Sequence, residues 1–340
     1  MKTNPVNQEQ ESLLTDSFER IARKLRISVI DRCNLQCIYC MPKNNNSWFD
    51  PKDILTFDEI VRFVSIMSKL GIEKIRLTGG EPLLRSNIEV LVENLSKITG
   101  INTVSMTTNG ILLPDKISQL KKAGLSSINI SLDTFKQERF KKINGVDGLA
   151  KVLESIKTAN EAQMSVKINN VVIRGWNDDE VVDFALFSRA TGHPVRFIEF
   201  MPLDGSGMWN QELVVTKHEI MDKIRHKIGE LIPLDFDRSS PAKLYTFSDG
   251  KGIIGFIPSI SEPFCKNCDR VRLTSDGRFL TCLFEKPGFD IKVLLREGKS
   301  DEEIVGFIQN CMRKKPEGII KIIRKKQLRP SLNLMHTIGG

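Results

Sequence analysis

Residues 25–42 read LRISVIDRCNLQCIYCMP, and the reading of this stretch decides the fold. Its first half alternates: Leu25, Ile27 and Val29 share one face of an extended chain, and Arg26 and Ser28 share the other. Its second half places Cys33, Cys37 and Cys40 in a CxxxCxxC loop directly after that strand. Three thiolates on one short loop hold three irons of a four-iron cubane and leave the fourth open to a small molecule. Clusters used only for electron transfer normally take four cysteines. The plainer alternatives are a zinc site completed by a distant ligand and a chance run of buried thiols.

Outward from this stretch, strand-like runs at residues 25–30, 74–78, 103–107, 127–131, 166–172 and 195–200 alternate with helix-like runs at 56–69, 87–97, 114–123, 148–162 and 179–190. Such alternation predicts an α/β protein with a parallel sheet and right-handed crossovers, here an incomplete (β/α)6 TIM-like barrel. Parallel strands covered on both faces usually read as continuous apolar runs. Five of these do not. Ile75 and Leu77 oppose Arg76; Val104 and Met106 oppose Ser105 and Thr107; Ile128 and Ile130 oppose Asn129 and Ser131; Val166 and Ile168 oppose Lys167 and Asn169. With the apolar faces on the outer helices, the interior is lined by Arg26, Arg76, Thr107, Ser131, Lys167 and Asn169, where an ordinary barrel holds branched apolar side chains. Charges in a closed lumen are costly without a partner, so the pattern predicts a large, polar, anionic ligand; snorkelling of the cations to the barrel ends is the alternative. The sixth strand does not resolve by parity.

After about residue 204 the pattern changes to a helix at 216–228 and a hairpin, 243–247 with 252–258, joined at Asp249-Gly250. We divide the chain into an N-terminal extension (1–20), the partial barrel (21–205) and a C-terminal, β-containing region (206–340) that closes the barrel. That last region carries a second trio, Cys265, Cys268 and Cys282. Taken alone it is equally a zinc site short of one ligand, with His193, His218, His226 or His336 as fourth donor. Arg270 and Arg272 follow Cys268 at strand spacing and fall on one side, where two forked guanidinium groups suit phosphate oxygens.

Composition bounds the rest. The chain has 340 residues and seven cysteines, six of them in the two trios, which argues for metal ligation rather than a disulfide framework. Cys311 reads as an ordinary buried thiol in a helix. The polar start, with neither a signal-like segment nor an apolar run of spanning length, predicts a cytoplasmic protein without a membrane segment. The net charge of +8 suits a polyphosphate as well as nucleic acid; no basic recognition element such as a helix-turn-helix is evident, so nucleic acid is not expected. The basic residues near the end, among them Arg313, Lys314, Lys321 and Arg324, read as a solvated face.

The cysteine loop, followed by Gly79-Gly80-Glu81-Pro82 after the second strand, resembles the radical S-adenosylmethionine (SAM) enzymes. The wider pattern of RLTGGEPLLR, TTNG, INISLD, RFIEFMPL, FCKNCDRVRLTSDGRFLTCLF and the final IGG resembles the GTP 3',8-cyclase family of molybdenum cofactor biosynthesis over nearly the whole chain. The resemblance implies two [4Fe-4S] clusters, each with three cysteine ligands, and SAM chelated at the open iron of the first, whose reductive cleavage yields a 5'-deoxyadenosyl radical. It implies SAM contacts at Tyr39, Gly80, Ser131 and Met201. It further implies GTP contacts at Arg26, Arg76, Thr107, Lys167, Arg270 and Arg272, and a functional tail at Gly339 and Gly340. The implied reaction removes hydrogen from ribose C3' of GTP and closes the carbon radical on guanine C8, giving (8S)-3',8-cyclo-7,8-dihydroguanosine 5'-triphosphate. Implied partners are a downstream cyclic pyranopterin monophosphate synthase, an unidentified reductant and a second copy of the chain in a homodimer. Ile30 departs from the family, which usually carries Thr there. A radical SAM enzyme acting on a peptide is the neighbouring alternative.

Overall fold

The structure, a computed structural model, describes residues 13–41, 48–203, 207–235, 237, 239–285, 287–319, 321 and 335–339. Gly340 and Arg324, named above, lie outside them. Six parallel strands form the centre in chain order: β1 (Lys24–Ser28), β2 (Lys74–Thr78), β3 (Thr103–Thr108), β4 (Ser127–Ser131), β5 (Ser165–Val172) and β6 (Val195–Glu199). These are the six anticipated strands, with ends shifted by one or two residues. The later chain extends the sheet at both edges. Beside β6 come β9 (Ile253–Ile257), β8 (Lys243–Phe247) and β7 (Leu231–Pro233); beside β1 come β10 (Arg270–Leu273), β11 (Arg278–Leu280) and β12 (Phe289–Asp290). Both β9 and β10 run parallel to their barrel neighbours, while the outer strands return antiparallel.

The predicted apolar faces pack outward. Leu25, Ile27, Leu77, Met106, Ile128, Ile130 and Ile168 are fully buried against the helical layer. That layer begins with α1 (Phe57–Lys69), whose Thr56–Glu59 capping box satisfies its first turn and whose buried face carries Phe63, Val64 and Met67. It continues with α2 (Ile88–Ser96), α3 (Ile117–Lys122), α4 (Gln137–Asn144), α5 (Leu149–Glu161) and α6 (Val181–Thr191). Beyond the barrel lie α7 (Lys217–Lys227), α8 (Lys292–Arg296), α9 (Asp301–Arg313) and a last turn, α10 (Met335–Ile338). Cys311 is buried on α9, as expected of a core thiol.

Helix α4 has no counterpart in the sequence reading. Its segment QERFKKIN buries Phe140, Ile143 and Asn144, too few apolar positions to show a helical period. Among the described residues no helix is long and apolar enough to cross a membrane.

Candidate active site

In-register neighbours on parallel strands project to the same face, so the register itself lists the inner wall. Arg272, Arg26 and Arg76 lie side by side across β10, β1 and β2. Thr107, Asn129 and Lys167 form a second row across β3 to β5, and Ser131, Asn169 and Arg196 a third across β4 to β6. The predicted polar lumen is therefore present. It also contains Arg196, which parity missed because Phe197 and Glu199 on the opposite face mix apolar with charged. Inspection of burial separates them: Phe197 and Glu199 are buried behind the sheet, and Arg196 and Ile198 are only half-buried in front.

The electrostatics of this wall are one-sided. Burial pulls the Arg26 guanidinium well below its ordinary range, and Arg272, Arg76, Arg270 and Arg196 pull it further. Burial lowers Arg76 to about 10, and burial with Arg76 lowers Arg196 to about 9. Lys167 is lowered by burial, Arg196 and Arg76. Arginine keeps its proton in proteins, so the depression expresses first the cost of burying these cations and second the repulsion among them. Arg76 Nη1, Arg196 Nε, Asn129 Oδ1 and Asn169 Oδ1 are buried without hydrogen-bond partners. Such atoms are costly to leave unpaired, and an anionic ligand with both donors and acceptors satisfies all of them.

The first cysteine loop caps the C-terminal end of this wall. Cys33, Cys37 and Cys40 are half-buried free thiols. Burial and then the Glu81 carboxylate push Cys33 up to about 12; burial and Cys33 push Cys40 up to about 12. Cys37 is pushed up by burial and by Cys40 and Cys33, so the three feel one another. Helix α4, invisible in sequence, holds this loop: Gln36 N donates to Asn144 O and Ile38 N to Ile143 O, each at 2.9 Å, and Cys37 Sγ lies 3.1 Å from Asn144 Oδ1.

The glycine-rich turn after β2 docks on the same loop. Gly80 N donates to Ile30 O at 2.7 Å and Glu81 N to Arg32 O at 2.8 Å. A Cβ on Gly80 would sit 2.1 Å from Arg32 O, so only glycine lets the two backbones meet. Ile30 takes part through its backbone carbonyl. Glu81 is buried and accepts from Thr108 Oγ1 (2.7 Å), Asn109 N (2.8 Å) and Leu83 N (3.1 Å); burial raises its carboxyl to about 7. Tyr39 donates its hydroxyl to Asp133 Oδ2 at 2.6 Å, which fixes the ring beside the loop. Ser131 and Met201 are half-buried at the ends of β4 and β6.

The second trio caps the other end. Cys268 lies two residues before the start of β10, which runs parallel to β1, so it lies at the N-terminal mouth while Cys33 lies past the C-terminal one. Five residues of β1 separate the mouths by about 16 Å. The β10–β11 hairpin carries the chain up and back, which returns Cys282 to the mouth that holds Cys265 and Cys268. Burial raises Cys268, but Arg270, whose Nη2 lies 3.4 Å from Cys268 Sγ, and Lys315 outweigh it and bring the thiol to about 7. Cys282 is raised by burial to about 11, with the other two cysteines among its neighbours.

The four histidines named as possible fourth donors have the following surroundings. His336 is buried at the first mouth, where Trp48 packs edge-on at 5.8 Å and Asp31 and the Cys40 backbone act on it. His218 pairs with Glu262 at 3.1 Å and His193 stacks on Phe187; His226 sits in the last turn of α7. The zinc alternative with His336 as fourth donor is thereby corrected. Among the described residues no three Cys, His, Asp or Glu side chains converge closely enough for a single metal ion. Each trio offers three soft thiolate donors, the ligand type that suits an iron-sulfur centre.

Arg272 Nη1 donates to Gly339 O, and a Cβ on Gly339 would lie 2.4 Å from Thr78 Cγ2. The tail thus enters the wall at its cationic row, with φ +77 at Gly339.

A partial parallel barrel with a three-cysteine loop after its first strand is the architecture of the radical SAM class. A family profile described as "Radical SAM superfamily" matches residues 27–188, and one described as "Molybdenum Cofactor Synthesis C" matches residues 193–320. The fold is similar to that of Streptococcus suis SuiB bound to S-adenosylmethionine, with a TM-score of 0.62 at 14% identity over 89% of this chain and 70% of that one. The chain is 44% identical to a GTP 3',8-cyclase of Thermodesulfovibrio yellowstonii over 96% of its own length and 100% of that protein's. It is 43% identical to molybdenum cofactor biosynthesis protein 1 of Bos taurus over 89% of this chain and 48% of that protein. The chain belongs to the GTP 3',8-cyclase family of radical SAM enzymes.

Proposed function

We propose that this chain converts GTP to (8S)-3',8-cyclo-7,8-dihydroguanosine 5'-triphosphate, the first step of molybdenum cofactor biosynthesis. The observation that carries the reading is the inner wall of cations between two cysteine trios, with buried donors on Arg76 and Arg196 that lack a partner. A triphosphate supplies the negative charge the wall lacks, and a guanine supplies donors and acceptors at its far end. A peptide offers no comparable charge, so the peptide-modifying alternative is not retained.

Cys33, Cys37 and Cys40 would hold a [4Fe-4S] cluster, with SAM against Tyr39, Gly80, Ser131 and Met201. When bound, that pair supplies one-electron cleavage of a sulfonium and a carbon radical able to abstract hydrogen. The chain's own residues do the positioning. Asp133 holds Tyr39, and the Gly80 backbone keeps the loop closed on the second strand. Arg26, Arg76, Thr107, Lys167, Arg270 and Arg272 take GTP, and Arg196 joins them from its place in the third row. Remote phosphate binding then fixes the ribose in a water-poor cavity. Cys265, Cys268 and Cys282 would hold a second [4Fe-4S] cluster whose open iron faces the guanine. Gly339 and Gly340 would act as a functional tail on the substrate, Gly339 from its hydrogen bond with Arg272. The division at about residues 20 and 205, a cytoplasmic location, a homodimer, an external reductant and a downstream cyclic pyranopterin monophosphate synthase belong to the same proposal.

The test is an anaerobic reaction of reconstituted protein with SAM, reductant and GTP deuterated at C3'. Deuterium in the 5'-deoxyadenosine, read by mass spectrometry, supports the reading; unlabelled product in an amount indifferent to GTP overturns it.

A further inference from the structure

Residues 13–20 are not a loose lead into the barrel. The segment folds back at an isolated bridge between Thr15 and Ile21, with Leu14 buried and Glu19 in the left-handed region at φ 63. Inside the bend, Asp16 and Arg20 are 6% and 8% exposed and paired, Arg20 Nε to Asp16 Oδ2, at 2.6 Å. Asp16 Oδ1 also accepts Phe18 N and Arg20 N, at 2.8 and 3.1 Å. Three of the remaining guanidinium donors go to main-chain carbonyls far away in sequence. Nη1 donates to Cys265 O and Glu317 O and Nη2 to Pro316 O, each at 2.8 Å. From the other side Lys315, 3% exposed, donates to Cys268 O at 3.2 Å and Arg270 O at 3.0 Å. Between them these two cations hold the carbonyls of both cysteines of the CxxC turn. Gly318 closes the sandwich: a Cβ there would lie 2.7 Å from Cys265 Cβ.

A buried ion pair adds little net stability compared with apolar packing of the same volume, though loss of one member is costly. Its planar fork does supply direction, which a flexible or apolar side chain cannot. We propose that Arg20, oriented by Asp16 and matched by Lys315, is a positioning residue for the second cysteine trio, so that the N-terminal segment governs assembly and redox behaviour of the second cluster. This rests on the reading of that trio as a cluster site. Three thiolates around a cluster carry net negative charge, and two fixed cations beside their carbonyls both shape the turn and favour the more negative, reduced state.

The experiment uses the full chain, reconstituted anaerobically, as wild type, Cys265→Ser, Arg20→Gln and Arg20→Lys. Iron content, the electron paramagnetic resonance signal of each reduced cluster and each midpoint potential are measured. Arg20→Gln is expected to lose about half of the iron with the first-cluster signal intact. Arg20→Lys, which keeps the charge but not the fork, is expected to retain the iron with an altered signal and potential for the second cluster alone. Wild-type signals and potentials in both variants overturn the proposal. Should Arg20→Gln lose both clusters by misfolding, Arg20→Lys decides: a second cluster unchanged in signal and potential overturns it, a selective change supports it. If wild type and Cys265→Ser bind the same iron and give the same signals, the second-cluster reading itself fails, and the proposal with it.

Discussion

Arg76 on β2 lies in register beside Arg26 on β1, both on the inner face, and after burial the strongest influences on Arg26 are four other arginines, Arg272, Arg76, Arg270 and Arg196. Folding brings these cations together, and among the described residues none of them forms an ion pair, so the wall carries a stability cost that an anionic ligand would offset. Arg76→Met keeps the length of the side chain and deletes one charge. Nucleotide affinity should fall about 10- to 100-fold, the worth of one charge-assisted contact, while the melting temperature of the ligand-free chain holds or rises. Calorimetric titration with GTP and a thermal melt measure both; undiminished affinity would remove Arg76 from the binding wall.

Gly80→Ala places a methyl group 2.1 Å from a backbone oxygen rather than against a flexible side chain. Neither the Gly80–Ile30 nor the Glu81–Arg32 hydrogen bond survives the displacement. The variant should lose the first cluster selectively, about half of the iron, with far-ultraviolet circular dichroism close to wild type. Full iron loading would show that the approach of the two backbones is not required.

The Glu81 carboxyl titrates at about 7 in the folded chain against an ordinary 4.5, because burial outweighs its three hydrogen bonds. Between those values the native state holds a proton that the unfolded chain has released, so stability falls as pH rises through the window and is lowest above it. The contribution is up to about 3 kcal/mol. The metal-free chain should therefore melt at lower temperature at pH 7 than at pH 5, and Glu81→Gln should flatten that slope whatever it does to stability overall. Parallel slopes in the two proteins would assign the pH dependence elsewhere.

Arg272→Ala removes the donor to Gly339 O and Ile338 O. Carboxypeptidase digestion of the ligand-free variant should release the terminal residues several times faster than from wild type, with the first cluster still forming. Equal rates would mean that the tail is held without this contact.

Particular residues show how far one dimension reached. Leu25, Ile27 and Leu77 against Arg26 and Arg76 were legible because strand parity is local: two residues of periodicity say which side chains share a face. Arg196 escaped, since its strand alternates an arginine and an isoleucine against a phenylalanine and a glutamate, and pairing with Asn169 together with burial assigns its side. Helix α4 escaped because two buried apolar residues carry too little periodic signal, although its last carbonyls hold the first cysteine loop.

The sequence by itself determined the parallel barrel, the two cysteine trios and the polar wall, since each depends on spacing along a short stretch of chain. Only the tertiary structure decided that His336 belongs to the first mouth, that helix α4 holds the first cysteine loop, and that Arg20 holds the turn of the second trio from 245 residues away. Those relations are set by strand direction and by side chains meeting across the fold, where separation along the chain carries no information about separation in space.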